Sequence, residues 1–261
     1  MRVRVQFSKF GSSRFLGHLD VMRYFQKAFR RAELPLAFSE GYHPHPLLSF
    51  AQPLSLSYTS TGEYFDMELT EDVYPHIIRD RLNAVMCDEI KVKRVTWLQD
   101  YQHNVKKITG MALITGAAYL ISLKEEPEGF EQILRNFYAE SSYKIEKTTK
   151  TGTRECDLRA GVHGIALYRG GSIERLGDDE MFIISDDEII EAKSKANCFN
   201  SRAIVVFLDA GSEQNIPADL FLNGVYAYAG LDCIPEKTVH RIELLGDFDN
   251  NKKVPLWMIE L

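Results

Sequence analysis

The sequence predicts an α+β fold made of two halves, each with the element order β-α-β-β-α-β. Three patterns predict it: a strand-like alternation of polar and apolar residues at the start, the amphipathic helix pattern that follows, and a similar order of patterns later in the chain. The 261 residues, 45% hydrophobic and 26% charged, are sufficient to bury a substantial core.

The first half begins with a strand, because residues 3–7 alternate between apolar and polar side chains. Apolar residues then recur every three or four positions from Leu16 to Ala32, which predicts a helix that ends before Pro35. The later patterns predict two short extended segments, a strand, a helix and a last strand, at residues 36–39, 47–50, 63–69, 72–86 and 90–98.

The second half shows a similar order. We predict a strand, a helix, a hairpin, a strand, a helix and a strand, at residues 118–123, 128–139, 143–158, 203–208, 217–229 and 239–245. Each half is therefore expected to be ferredoxin-like. The expected domains are residues 1–105 and residues 110–261, the second with an insertion at about residues 160–200.

Charge is distributed unevenly along the chain. The net charge is −6, yet residues 1–50 carry a net charge of +5 and the remaining residues −11. A basic face on an acidic body suits a polyanion or an acidic partner surface. A solvated helix face without a partner is the alternative.

The first helix holds half of the cations of residues 1–50 on one side. Arg23, Lys27, Arg30 and Arg31 fall opposite its apolar stripe, so we expect them to face solvent. Together with Arg14 they form the predicted RNA-binding surface.

We expect a cytoplasmic protein that does not bind membranes, because no apolar stretch approaches the roughly 20 residues of a membrane span and the start lacks a secretory apolar segment. The cysteines are far apart and form no Cys-x-x-Cys pair. They are predicted to be reduced and mostly buried, with no metal or iron–sulfur cluster. They are Cys87, Cys156, Cys198 and Cys233.

Several segments carry a resemblance to a known family. Residues 10–23 (FGSSRFLGHLDVMR) and 29–46 (FRRAELPLAFSEGYHPHP) resemble the radical-SAM-linked family. The similarity continues through residues 48–54 and 62–64 and reappears at residues 154–159, although His43 stands where Asn is common in that family. The resemblance implies that this protein acts together with a separate radical S-adenosylmethionine (SAM) enzyme and that it holds no cofactor itself.

The start of the first helix is a candidate site. His18 and Asp20 lie close to backbone N–H groups that lack helical partners, and Arg14 precedes them. This corner suits phosphate binding or proton transfer. A plain helix cap by Asp20 is the alternative.

The His-Pro-His-Pro run is a second candidate. His43 and His45 are predicted to contact RNA or substrate, with a rigid turn or a zinc site as alternatives; we expect no metal.

A third candidate lies in the second half. Asp157 is a candidate catalytic acid and Arg159 a candidate phosphate contact, because the following Gly161-Val162-His163 resembles a pseudouridine synthase motif with two extra residues after the acid. A chance similarity, with Asp157 and Arg159 as a structural pair, is the alternative. Glu63 and Asp66, by contrast, are expected to be solvated strand charges.

These residues support three hypotheses. The first is an accessory protein that binds tRNA or ribosomal RNA for a radical SAM enzyme, with a role in tRNA modification. The second is a metal-independent RNA-modifying or RNA-cleaving enzyme that uses His18, Asp20, His45 or Asp157. The third is a protein–protein adaptor. The first requires the basic residues and the imidazoles to share one accessible surface.

Overall fold

The computed structural model describes residues 1–98, 108–149, 152–177, 184–248 and 252–259. The helices are α1 (His18–Arg31), α2 (Pro75–Val85), α3 (Gly110–Leu113), α4 (Phe130–Ala139), α5 (Asp186–Lys195) and α6 (Ala218–Tyr228). The strands are β1 (Arg2–Lys9), β2 (Leu48–Phe50), β3 (Thr59–Glu68), β4 (Ile90–Trp97), β5 (Ile114–Leu123), β6 (Lys144–Thr149), β7 (Gly152–Asp157), β8 (Val162–Arg169), β9 (Ser172–Arg175), β10 (Arg202–Asp209), β11 (Lys237–Phe248) and β12 (Lys252–Pro255).

One large sheet runs through the whole molecule. Its central path has the order β4-β1-β3-β11-β5-β10-β8-β9, with β2 paired to β3 and β12 paired to β11. The pairings are antiparallel except that of β11 with β3, where His240 and Arg241 lie opposite Thr59 and Ser60. This parallel contact joins the two parts of the chain, so the protein is a mixed α+β structure with a mostly antiparallel sheet.

The first half follows the predicted order of elements. β1 pairs with β3 and β4, and β2 pairs with β3. Of the predicted segment 36–39, Leu36 and Phe38 make isolated bridges. Helices α1 and α2 cover one face of these strands, because the apolar stripe of α1 packs with the apolar side of β1 and β3.

The second half differs from the prediction in the segment predicted as an insertion. Residues 160–200 contain β8, which pairs with β10 within the large sheet, and also β9 and α5. The predicted hairpin is present as β6 and β7, but it forms a separate two-stranded sheet. Its turn was predicted at Thr151-Gly152; Gly152 is the first residue of β7, and Thr151 lies outside the described residues. Helices α4 and α6 pack in one core cluster, and α5 packs in another.

The polar side of β1 is buried, which the alternating pattern did not predict. Arg2 and Arg4 bond to Asp66 of β3, and the guanidinium of Arg4 also donates to the carbonyl of Leu256 near the C-terminus. Gln6 donates to Glu243 of β11. The C-terminal part of the chain therefore covers this side of β1, and we call these buried polar contacts between β1, β3 and β11 the polar seam.

A glycine allows β3 and β11 to approach closely at the seam. A Cβ atom at Gly62 would lie 2.5 Å from the carbonyl oxygen of Ile242 and 2.5 Å from the Cα of Glu243. Because such contacts are too short for any side chain, glycine is required here.

The prediction of mostly buried cysteines is wrong. Cys87 and Cys233 are exposed, and Cys156 and Cys198 are partly exposed; all four are free thiols. The four cysteines lie in loops or near the ends of helices and strands. At such positions the apolar character of a cysteine side chain is not enough to bury it. In the described part of the chain no helix combines the length and apolarity that a bilayer crossing needs.

Candidate functional site

The cations predicted on α1 lie on its solvent side. Arg23, Lys27, Arg30 and Arg31 are exposed, and we call these four residues the basic stripe. Arg23 is 3.7 Å from Asp20, and within the described residues the other three have no carboxylate at ion-pair distance. The stripe is therefore largely free to bind an external anion. Arg14 stands apart, with its guanidinium 4.8 Å from the ring of Phe15.

His18 faces the opposite side of α1 from the basic stripe. It lies seven residues before Phe25, a core residue, so the two share one face of the helix. Its ring makes an edge contact with Phe50 at 5.5 Å between centroids. Asp20 makes no cap bond, because Gly17 is the N-cap residue and offers no side chain. The cations and His18 therefore do not form the single surface that the sequence suggested.

His18 instead lines a cleft between the start of α1 and the segment after β2, which we call the α1 cleft. Its enclosed cavity volume is about 20 Å³, which is room for about one water molecule, and the cleft opens to solvent at its mouth. Its apolar walls include Phe7, Leu16 and Phe50. Four polar side chains join them: Lys9, His18, Gln52 and Glu63. Apart from Phe7 and Lys9, every lining residue belongs to the segments that carry the family resemblance.

Lys9 is 2% exposed, so its ammonium group lies beneath the surface. It donates to the carbonyl of Leu16 at 2.8 Å and to that of Arg14 at 3.4 Å. Burial lowers the pKa of Lys9; nearby Glu63 opposes this effect and Arg241 adds to it.

The carboxylate of Glu63 pairs with Arg241 and not with Lys9. Arg241 of β11 donates to both carboxylate oxygens, at 2.8 and 2.5 Å, and also to the carbonyl of Gln52 at 2.8 Å. The expectation that Glu63 and Asp66 are solvated is therefore wrong, since both are buried in ion pairs with arginines. Both faces of their strand, β3, are buried. The alternation of acidic and apolar residues in its sequence therefore did not indicate a solvent-exposed face.

The two loop histidines are exposed and lie away from His18. His45 shares a hydrogen bond with Ser39 at 2.8 Å between Nδ1 and Oγ, within a short two-stranded turn. Phe50, the ring that His18 touches, comes five positions after His45, and an extended segment of that length spans roughly 15 Å. His43 is also exposed, so neither loop imidazole lines the α1 cleft.

Asp157 and Arg159 stabilise a turn. Asp157 accepts hydrogen bonds from Ser142 and from the backbone N–H groups of Tyr143 and Ala160, and the bond from Ser142 contributes most to lowering its pKa. Arg159 donates to the carbonyls of Tyr138 and Val162. These bonds engage both side chains in the local fold.

His163, from the same segment, forms a close pair with Asp209 at the end of β10, with 2.5 Å between Nε2 and Oδ1. The pair is partly exposed. The described residues hold no group of three or more metal-binding side chains close enough to share an ion.

Sequence reasoning missed Lys9, Gln52 and Arg241. A signal for Lys9 existed, because it comes two residues after Phe7 and so falls on the apolar side of the first strand. Arg241 gave no such signal, since its partner Glu63 is 178 residues away in the chain.

The fold and the site define a class of α+β protein with one large sheet and a cleft beside its first helix. Residues 2–198 match the model of a bacterial family described as "Uncharacterized protein conserved in bacteria (DUF2344)". This match covers more than half of the chain, so the protein belongs to that family. No curated protein matches the chain.

Proposed function

We propose that the protein is an accessory RNA-binding protein that holds tRNA or ribosomal RNA through the basic stripe of α1 alone. The shared surface of cations and imidazoles that the sequence-based hypothesis required is not met, because His18 faces the other side of α1. The observation that carries the proposal is the exposure of four cations on one helix face, three of them without a carboxylate partner among the described residues. Arg23 and Arg30 are seven residues apart, about 10 Å along the helix axis. Such a row suits the phosphates of a nucleic-acid backbone.

Binding of this kind is expected to depend strongly on salt and little on base sequence. Each phosphate contact releases counterions, so four contacts give a decrease of about 3 log units in affinity per log unit of salt. In this proposal the four side chains contact phosphates and not base edges, which favours recognition of RNA shape over sequence.

The test compares two variants with equal loss of charge. In the first, Arg23, Lys27, Arg30 and Arg31 become Gln. In the control, four exposed cations that pair with carboxylates become Gln: Lys124, Lys144, Arg175 and Arg202. Fluorescence anisotropy of labelled tRNA at low salt should show loss of binding in the first variant and near-normal binding in the control. Equal binding by both variants, or no binding by the unmodified protein, contradicts the proposal.

We further propose that this RNA binding serves a separate radical SAM enzyme in RNA modification. The support is the family resemblance in residues 10–64. Isolation of the tagged protein from its native cells, followed by mass spectrometry and RNA sequencing, tests it. A radical SAM enzyme and tRNA or ribosomal RNA recovered together support the proposal, whereas a different protein partner without RNA supports the adaptor hypothesis.

The hypothesis of an RNA-modifying or RNA-cleaving enzyme has weaker support. Its four candidates are dispersed. His18 lies in the α1 cleft, Asp20 on the solvent side of α1 beside Arg23, His45 in an exposed turn and Asp157 in a turn of the second half. Acid–base catalysis requires its groups within hydrogen-bond reach of one substrate.

We also propose that the chain consists of two ferredoxin-like units, approximately residues 1–105 and 110–261. The support is a shared spatial order. In the first unit the strands lie as β4-β1-β3-β2, and in the second as β11-β5-β10-β8, each antiparallel throughout. If the four core strands of each unit are numbered along the chain, both units have the spatial order 4-1-3-2 of a ferredoxin-like sheet. The hairpin β6–β7 and the segment β9–α5 are then insertions in the second unit.

A further inference from the structure

We propose that the α1 cleft is a binding site for the phosphate or carboxylate group of a small ligand, with Lys9 as its main charge partner. The site is separate from the basic stripe, which lies on the other side of α1, and the proposal does not depend on RNA binding.

The first argument is an imbalance of buried charge. Lys9 lines the cleft and Arg241 lies just behind it, 2% and 1% exposed, and among the described residues Glu63 is the one carboxylate in the lining. Both oxygens of Glu63 already accept hydrogen bonds from Arg241. Two cations and one carboxylate leave a net positive charge, and a buried charge without a counter-ion is costly. An anion in the cleft would balance it.

The second argument is the unused bonding capacity of Lys9. An ammonium group has three N–H donors, and the two bonds of Lys9 go to backbone carbonyls, not to a carboxylate. One donor therefore remains for a ligand. Burial and Arg241 both disfavour the charged form of Lys9, and a bound anion would reverse this effect.

The third argument concerns the other groups of the cleft. The side-chain carbonyl oxygen of Gln52 is buried and has no hydrogen-bond partner within the described structure, whereas its amide nitrogen donates to Asn215. A hydroxyl or amine next to the anionic group of the ligand would satisfy this oxygen. His18 lies at the first turn of α1, where the helix dipole also favours negative charge.

The walls strengthen these interactions. Phe7, Leu16, Val21, Phe50 and Leu54 surround the polar groups and exclude water, which reduces screening.

The test measures binding of inorganic phosphate and of acetate to the full chain by isothermal titration calorimetry. We expect one site per chain, and the tighter of the two probes identifies the class of anion. Lys9→Met should weaken binding roughly ten- to hundredfold, as expected for loss of a hydrogen bond from a charged group. Lys144→Met, on the β6–β7 hairpin, removes the same charge from an exposed residue outside both proposed sites and should leave binding unchanged.

Because Lys9→Met also removes the donor for two backbone carbonyls, a second measurement uses the unaltered protein. In histidine-labelled protein, addition of the tighter probe should shift the ring NMR signals of His18 and leave those of His43 and His45 in place. Absence of binding to both probes, equal weakening by both Met variants, or an unmoved His18 signal during saturable binding would overturn the proposal.

Discussion

Arg241 and Glu63 form a two-pronged ion pair where β11 meets β3, with 2.8 Å between Nε and Oε1 and 2.5 Å between Nη2 and Oε2. Both side chains are almost fully buried. The pair lies beside the parallel contact that joins the two parts of the sheet, and it borders the α1 cleft. Its charge balance therefore affects both the stability of the fold and the chemistry of the cleft.

Loss of one partner in this pair should destabilise the protein strongly. Glu63→Gln leaves the Arg241 charge buried without a counter-ion, and we expect a decrease of about 3–5 kcal/mol in the free energy of unfolding, measured by urea denaturation. Glu236→Gln breaks the exposed pair with Lys124 and should leave the midpoint nearly unchanged. A similar small shift for both variants would contradict this role of the Arg241–Glu63 pair.

A side chain at Gly62 should separate β3 from β11. Gly62→Ala places a methyl group against the backbone of Ile242 and Glu243, and we expect a loss of about 3 kcal/mol in stability. Gly110→Ala is the matched control, because its nearest neighbours would be 3.5 Å away, an ordinary contact. Thermal unfolding of the two variants distinguishes them, and a normal melting temperature for Gly62→Ala would refute the close approach.

Glu243 should make stability depend on pH in the neutral range. Burial raises its pKa from 4.5 to about 8, so the folded protein retains a proton that the unfolded chain has lost. Stability should therefore fall as pH rises from about 4.5 to about 8, by on the order of a few kcal/mol. Glu243→Gln should reduce this fall, as seen in urea unfolding at pH 5 and pH 8. An unchanged pH profile in the variant would show that Glu243 is charged in the folded state.

His240 should make stability depend on pH in the opposite sense to Glu243, with a loss at acidic pH. Its ring nitrogens share hydrogen bonds with the hydroxyls of Thr59 and Thr61, and burial lowers its pKa from 6.5 to about 3. In this pH range His240 is protonated in the unfolded chain but neutral in the folded protein. Stability should therefore fall as pH drops from about 6.5 toward about 3. The acid-induced loss should be smaller for His240→Gln than for the parent, and equal losses would exclude this residue as the cause.

The first half was predictable because its signals are local. The helical spacing between Leu16 and Ala32 and the alternation in residues 3–7 need no distant partner to be recognised. The polar seam was not predictable, because the burial of Arg4 depends on Asp66 and on Leu256, far away in the sequence.

The candidate site was predicted only in part. The start of the first helix was identified through His18, and the structure places His18 in a cleft. The cleft also needs Gln52 and Glu63, which no spacing pattern connects with Lys9. The role of β8 was missed for a similar reason, since its pairing with β10 is fixed by tertiary contacts.

β11, which comes near the end of the sequence, lies in the middle of the sheet between β3 and β5. During synthesis β11 must therefore leave the ribosome before the early strands can join the later ones through it. Until then β3 presents an open edge and Arg241 has not yet reached Glu63, so the nascent chain passes through a period in which chaperone protection would be most valuable.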